Sequence, residues 1–504
     1  MATPMKRRVL IFLMSLLLVL VGVPVTNIML APDRNEINLK EKSFLFNMDF
    51  ASRLAGSLLY PLGISISPEN VIIGKEGWLY LGDSYNQAVS DGRRRATNAD
   101  VAMSKKIGEA AKAWNDYLLA KNVKIFRIMV APDKGSIYPE YMPDWAKPVI
   151  SNPTDALFLE ANEGIFVDLR LPLLAAKETL RDDIYFKTDS HWNELGAAIA
   201  FRTFAEQIKD ADPELRWPPE NAYEVAKNEK IDAQDLAKFL RLEKILSDSR
   251  PQTGVSELRV KTARTDYGTK ELILKWNGDL TKPLVLKSEG SLNTKKVLWL
   301  RDSMGNSLVP WMSATFSEVL EVHLNAVLGP SGNFVRLVDE WKPDYIFITV
   351  VERNARSRSF MDLPPAAVIN DSFQAIDTAA VDVHDLKRGP SNNEYQINGN
   401  DPNIDFALAR PASRSNAQLL GIELTCADGS ANVPLELFWL EEGMSYFDGA
   451  HSVKLSLLTG QGTIDLRTIP SWSPSTAIKR LRVDIDSVNS CVRFKLNNPR
   501  FLGK

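Results

Sequence analysis

The sequence predicts an α/β protein: a doubly wound, mainly parallel sheet, preceded by a single transmembrane anchor and followed by a C-terminal all-β sandwich. Three observations predict it. Strand and helix patterns alternate between residues 101 and 351, as a parallel sheet with helices on both faces requires. From about residue 400 apolar residues recur with a period of two between turn residues, the mark of antiparallel pairing. At the N-terminus an uncharged apolar run follows a basic cluster.

Composition narrows the class. The chain has 504 residues, room for about three domains. With 45% hydrophobic and 24% charged residues it is neither disordered, collagenous nor a multi-span membrane protein. Lys plus Arg is 60 against 63 Asp plus Glu, a net charge of -3, so no overall attraction to nucleic acid exists. Two cysteines exclude a disulfide-dense scaffold and a Cys-rich zinc site.

Residues 1–32 are read as a cytoplasmic tail and signal anchor. Lys6, Arg7 and Arg8 precede the apolar run Val9–Val25, which spans about 25 Å as a helix. A cleaved signal peptide is the competing reading. The run is long for one, and neither an A-x-A site nor a Leu-x-x-Cys lipidation site follows. The basic flank before the span, with Asp33 and Glu36 after it, orients the N-terminus to the cytoplasm. Everything beyond residue 32 then lies outside a bacterial inner membrane, in the periplasm. There Cys426 and Cys491 are free to pair; two buried thiols are the equal alternative.

Residues 33–375 form the α/β domain. An apolar stripe through Val101, Ile107, Ala111, Trp114 and Leu118 predicts a helix over 101–120. Ile125–Val130 and Ile165–Val167 read as strands, Leu171–Leu180 and Leu195–Ile208 as helices. Strand Val297–Leu300, helix 306–317, strand Val319–His323, helix Phe334–Trp341 and strand Tyr345–Val351 follow. Residues 254–290 read as a β-rich insertion with Asn277-Gly278 as a turn. The boundary falls within 370–400, and the sandwich occupies 390–504.

Three stretches carry chemistry. In Thr188-Asp189-Ser190-His191-Trp192-Asn193, Asp189 and His191 share one face of an extended segment. An acid there fixes the histidine tautomer and stabilises its protonated form, which suits a general base. Asn193 is a candidate N-cap. The second stretch, Leu300-Arg301-Asp302-Ser303-Met304-Gly305-Asn306-Ser307, places a serine at the C-terminal end of a strand, the ligand-binding edge of an open α/β sheet. The N–H groups after it are candidates to polarise a carbonyl oxygen. The third, Val351-Glu352-Arg353-Asn354, leaves the last sheet strand at that same edge. Each stretch also has a plain reading, as a loop cap, a helix cap and a solvated charged loop. Together they supply a nucleophile, Ser303, a base, His191, and its orienter, Asp189. His323 reads as a core or hydrogen-bonding residue, His384 and His451 as surface residues. No ligand cluster has zinc spacing and no Gly-rich phosphate loop occurs, so neither metal nor cofactor is expected.

The segment Asp189–Asn193, followed by a glycine and a helix, resembles the D-S-H-W motif of the alginate O-acetyltransferase AlgJ/AlgX-like family. Val71–Tyr80 resembles its G-K-x-G-W-L-F/Y segment, and Pro132-Asp133-Lys134 with Ile137-Tyr138-Pro139 its P-x-K-x-x-I-Y segment. Asp235-Leu236 resembles its D-L element, Asp302-Ser303 its nucleophile block and Glu352-Arg353 its late E-R element. The resemblance covers roughly residues 45–360. It implies an SGNH-hydrolase-like fold with Ser303, His191 and Asp189 as the triad. It also implies O-acetylation of an exported polysaccharide, the acceptor, with a membrane-bound O-acyltransferase supplying acetyl groups. SGNH hydrolases usually carry Gly before Asp-Ser; here the position is Arg301. Lys134, Arg301 and Arg353 are candidate glycan contacts, and Trp192 a candidate to stack on a sugar. The resemblance suggests carbohydrate binding for the sandwich, though no motif within it does. Two rivals share these residues: a glycan O-acetylesterase, and a non-catalytic glycan-binding component of an exopolysaccharide assembly system.

Overall fold

Seven strands make the central sheet of the computed structural model, which describes residues 4–30, 42–161, 164–276, 278–329, 331–364, 373–391, 393–428, 432–485 and 491–504. In chain order they are β1 (Ile125–Ala131), β2 (Phe166–Asp168), β3 (Lys261–Asp266), β4 (Leu284–Glu289), β5 (Asn293–Arg301), β6 (Phe316–His323) and β7 (Tyr345–Val351). Across the sheet the order is β2-β1-β7-β5-β6-β4-β3. The first five pair in parallel, and β6-β4 and β4-β3 pair antiparallel. All seven residues of β7 are buried, as expected for a strand covered on both faces.

Alternate residues of the strands feed two separate cores, which is what double winding means physically. On one face Met129, Val297, Trp299 and Phe347 pack under helix Glu194–Ile208 through Ala197, Phe201 and Phe204. On the other, Ile128, Leu298, Leu300 and Ile348 meet helix Asn98–Ala120 through Ile107, Ala111 and Leu118, and helix Asn333–Trp341 through Leu337 and Val338. The first of these last two starts at a capping box between Thr97 and Asp100.

The predicted insertion at 254–290 is not a separate body. Its strands β3 and β4 widen the central sheet, because Val285 and Leu286 place one side chain in each of the two cores. The expected turn includes Asn277, which lies outside the described residues. A hairpin that periodicity did not reveal, Val225–Asp232 with Ser247–Thr253, pairs antiparallel. Its polar, half-exposed strands carry little apolar alternation to detect.

Among the described residues the C-terminal region is a system of eleven antiparallel strands. Strand Gln374–His384 pairs with Arg500–Gly503 over its first part and with Asn403–Ala412 over its second, so it joins the two halves. The region therefore takes in residues assigned above to the boundary, because Ile376 packs into the same cluster as Phe406, Leu481 and Phe501. Cys426 and Cys491 are joined by a disulfide, with Cα atoms 5.0 Å apart. Asn333 ties this region to the α/β part: its Nδ2 donates to the Ser456 carbonyl (3.0 Å) and its Oδ1 accepts from Leu458 N–H (3.0 Å).

The expected anchor falls on a helix spanning Pro4–Leu30, several of whose side chains lie outside the described residues, as do Asp33 and Glu36. Among the described residues no helix is long and apolar enough to cross a membrane.

Candidate active site

Three of the parallel strands deliver chemistry at their C-terminal ends: Asp133 follows β1, Ser303 follows β5 and Glu352-Arg353 follow β7. The turn after β5 is fixed by Asp302, whose Oδ1 accepts from Met304 N–H (3.0 Å) and whose Oδ2 accepts from Val351 N–H (2.7 Å). Burial pushes the Asp302 carboxyl up. Gly305 is required here, since a Cβ would lie 2.5 Å from Arg301 Cδ and 2.9 Å from the Trp299 ring.

The base arrives from the other side of the turn. Asn193 Oδ1 accepts from Leu195 and Gly196 N–H groups (3.0 and 3.1 Å), so helix Glu194–Ile208 begins directly after the histidine loop. At Gly196 a Cβ would lie 2.2 Å from the Ile184 carbonyl oxygen, which explains the glycine after the motif. His191 Nε2 then stands 2.7 Å from Ser303 Oγ. His191 Nδ1 stands 2.5 Å from Asp189 Oδ1, which also accepts the His191 N–H (2.9 Å). The structure thus brings Ser303, His191 and Asp189 together in one hydrogen-bonded line.

The electrostatics favour a charged imidazole. Burial opposes ionisation of both partners, but hydrogen bonding and mutual attraction prevail. Asp189 is held below the ordinary carboxylate range and His191 above the ordinary histidine value. Asp235 and Asp302 add to the rise at His191. Asp189, His191 and Asp235 bring ligating atoms within 4.8 Å of one another. His191 Nδ1 is already spent on Asp189, the arrangement of an acid–base group.

Three of the four expected glycan contacts are placed elsewhere. Lys134 is 4% exposed, and its Nζ donates to the carbonyls of Phe186, Lys187 and Asp189 (2.9, 3.0 and 2.6 Å). All three ammonium hydrogens are used, and burial lowers its pKa to about 8. Lys134 therefore clamps the histidine loop and has no hydrogen left for a sugar. Trp192 is 0% exposed, and its indole N–H donates to Met304 O (3.0 Å), tying the base loop to the nucleophile turn. It cannot stack on a ligand from there. Arg301 is 0% exposed and pairs with Glu321 (Nη2 to Oε2, 2.7 Å) while donating to Asn306 Oδ1 (2.8 Å). It packs under the turn, where it leaves room only for glycine at 305, and it is too buried to meet a glycan, because Glu321 on β6 takes its charge. Arg353 alone stays at the opening, ion-paired to Asp133, in a groove it lines with Leu81, Tyr85, Lys238, His191 and Ser303.

The expected oxyanion donors also change. Met304 N–H is taken by Asp302 Oδ1 and Gly305 N–H by Asp302 O (3.1 Å). Among the described residues this leaves the Ser303 N–H as the backbone donor of the turn. His323 caps a short helix, accepting from Asn325 N–H (3.2 Å), the hydrogen-bonding role expected of it. Sequence reasoning gave no role to Ser190, Asp248 or Ser136. Ser190 and Asp248 hold the histidine loop through Asp235 and Thr188, and Ser136 donates to Glu352 Oε2 (2.7 Å). Ser190 and Ser136 lie inside motif segments read for other residues, and nothing in the sequence marked Asp248.

Fold and site together define an acid–base–serine geometry on the C-terminal edge of a doubly wound sheet. Residues 71–275 match the family described as the SGNH hydrolase-like domain of the acetyltransferase AlgX. The resemblance carried by the D-S-H-W segment and its partners as far as Asp235-Leu236 is borne out by this match. Ser303, Glu352 and Arg353 lie beyond it and enter by geometry. Probable alginate O-acetylase AlgJ of Pseudomonas syringae pv. tomato is 26% identical over 185 residues, 36% of this chain and 44% of the relative. That of Pseudomonas fluorescens is 27% identical over 193 residues, 38% of this chain and 46% of the relative. The chain thus spans less than half the length of the curated relatives it matches. The solved structure of Pseudomonas aeruginosa AlgX aligns over 86% of this chain and 94% of its own, at 12% identity and a TM-score of 0.44.

Proposed function

We propose that this protein is a periplasmic O-acetyltransferase that acts on an exported polysaccharide through an acetyl-enzyme on Ser303. The observation that carries the reading is the line Asp189–His191–Ser303, with 2.5 and 2.7 Å links, opening into a groove. His191 Nε2 takes the Ser303 proton as Oγ attacks the acetyl carbonyl carbon of a donor ester. Asp189 stabilises the imidazolium, and the Ser303 N–H faces the developing oxyanion. Collapse expels the donor's oxygen, which leaves with the proton from His191. A sugar hydroxyl then gives its proton to His191 and attacks the acetyl carbon; on collapse the Ser303 Oγ–acetyl bond breaks, and His191 returns the proton to Ser303 Oγ.

The AlgJ and AlgX relatives supply the polysaccharide context, and a membrane-bound O-acyltransferase is the proposed acetyl supplier. The inner-membrane anchor is proposed from the apolar run after Lys6–Arg8. The Cys426–Cys491 disulfide supports an oxidising compartment. For the C-terminal region we propose a polymer-holding role, supported by a groove between Lys387, Arg388 and Arg493.

Mass spectrometry after treatment with an acetyl donor ester tests the reading. The expected result is an acetyl adduct on the peptide holding Ser303, cleared faster with acceptor oligosaccharide than in buffer. Ser303→Ala should reduce ester turnover to background, and His191→Ala by about a hundredfold or more. An adduct that decays at one rate with every glycan makes the protein an esterase. Full activity in Ser303→Ala overturns the acetyl-enzyme on Ser303, and no ester turnover by the wild type leaves a glycan-binding protein.

A further inference from the structure

One carboxylate on His191 suffices for the steps above, yet the structure holds a second. Asp235 opens the short helix Asp235–Phe239, and both its oxygens grip the residue between Asp189 and His191. Oδ1 accepts the Ser190 N–H (2.8 Å) and Oδ2 accepts the Ser190 hydroxyl (2.6 Å). Ser190 Oγ lies 3.3 Å from His191 Nδ1, and Asp235 Oδ2 lies 3.9 Å from the same nitrogen. The Nδ1 hydrogen, directed at Asp189, therefore also faces an oxygen whose own hydrogen is committed to Asp235. A hydroxyl donating to a carboxylate is a better acceptor for the next hydrogen along the chain.

We propose that Asp235 is a second positioning carboxylate for His191, acting through the Ser190 hydroxyl, so that Asp189, Ser190, His191 and Asp235 work as one unit. Its use in catalysis rests on the acetyl-enzyme reading; its geometry does not.

A purely structural role does not explain the arrangement. The helix is already fastened to the loop by backbone bonds: Leu236 and Ala237 N–H donate to Thr188 O (3.1 and 3.3 Å), and Gln234 N–H donates to Thr188 Oγ1 (3.1 Å). Thr188 in turn donates to Asp248 from its N–H and hydroxyl, each at 2.7 Å. The Asp235 carboxylate is not needed as a fastener, and it faces the imidazole. Asp189 faces His191 from its own loop and Asp302 from the nucleophile turn. Lys134 stands behind Asp189, and Tyr85, Lys238, Arg241 and Arg353 line the groove. Burial and the Asp189 charge push the Asp235 carboxyl up, the response of two acids that share one cation. Removing the Asp235 charge withdraws an attraction that favours the imidazolium, so His191 becomes a weaker base.

The test is an NMR pH titration of the full chain with labelled histidine rings. The chain has four histidines, and loss of one signal in His191→Gln assigns the resonance. Asp235→Asn is expected to move the His191 midpoint to lower pH. The acid limb of ester turnover should move the same way, and its plateau should fall by about two- to tenfold, well short of the loss of the base itself. Asp235→Glu should restore the midpoint toward wild type. Ser190→Ala, which keeps the charge but removes the bridge, should move it in the direction of Asp235→Asn. A midpoint unmoved by Asp235→Asn overturns the proposal, as does an equal shift in Asp235→Asn and Asp235→Glu. If Ser303→Ala keeps full turnover while the midpoint shift stands, the coupling holds and the acetyl-enzyme reading falls.

Discussion

At the residue scale the site is decided by two distances and two charges. Ser303 Oγ lies within hydrogen-bond reach of His191 Nε2, and Asp189 holds the opposite ring nitrogen. Because Asp189, Asp235 and Asp302 raise the His191 pKa, the ligand-free protein keeps its imidazole protonated to a higher pH than an ordinary histidine. A protonated imidazole cannot take the serine proton. Ester turnover should therefore rise with pH, with an acid-limb midpoint above the ordinary histidine value of about 6.5. Asp189→Asn should move that midpoint down, since it removes the strongest attraction for the imidazolium. A kcat/KM profile from pH 5 to 9 reads both, and a wild-type midpoint below 6 would refute the expectation. At this scale the motif residues were legible in the sequence, because D-S-H-W, Asp302-Ser303 and Glu352-Arg353 fell at strand or helix ends. The roles of Lys134, Trp192 and Arg301 were not. A sequence shows that a side chain is cationic or aromatic; it does not show that burial has already assigned its hydrogens.

At the element scale the turn after β5 is supported from beneath. Arg301 closes that strand fully buried, and Glu321 on the adjacent β6 supplies its counter-charge. Neither is free to meet water, so breaking the pair leaves one buried charge uncompensated. Glu321→Gln should lower stability by about 3–5 kcal/mol, whereas an Arg301→Met, Glu321→Met double variant should lose far less. Thermal denaturation followed by circular dichroism reads the difference. Equal loss in the single and double variants would mean that packing volume, not charge, matters here. The strands were legible because a doubly covered sheet writes continuous apolar runs such as Tyr345–Val351. The hairpin Val225–Asp232 with Ser247–Thr253 was not, because it lies at the surface with mixed polarity on both faces.

At the scale of the whole molecule, the triad and the C-terminal groove belong to different layers of one chain. Lys387, Arg388 and Arg493 are exposed on the C-terminal sheets and make up one cationic wall. Charge reversal there, Lys387→Glu with Arg388→Glu, should weaken binding of an anionic polysaccharide by about tenfold or more in low salt. Turnover of a small acetyl ester should be unchanged, because nothing near Ser303 is touched. Co-sedimentation with polymer beside an ester assay measures the two, and unaltered polymer binding would remove this groove from the reading. The proposed topology has its own test. A reporter fused after residue 40, active only in the periplasm, should be active here. A mature chain that begins after residue 25 and stays in the soluble fraction would replace the anchor with a cleaved signal.

The sequence by itself determined the doubly wound α/β class, the main parallel strands and the helices that cover them, the change to period-two patterning, and the three stretches that carry chemistry. These are local properties: periodicity, capping chemistry and residue type at a strand end, all written within about ten residues of chain. The tertiary structure alone decided that residues 254–290 widen the central sheet and that Gln374–His384 belongs with the last strands. It also joined Cys426 to Cys491, and buried Lys134, Trp192 and Arg301 while leaving Arg353 at the groove. Each of these depends on which distant residue fills the space beside a side chain. Glu321 on a neighbouring strand, and Asp235 some 45 residues from Ser190, do that work, and no local pattern encodes such a meeting.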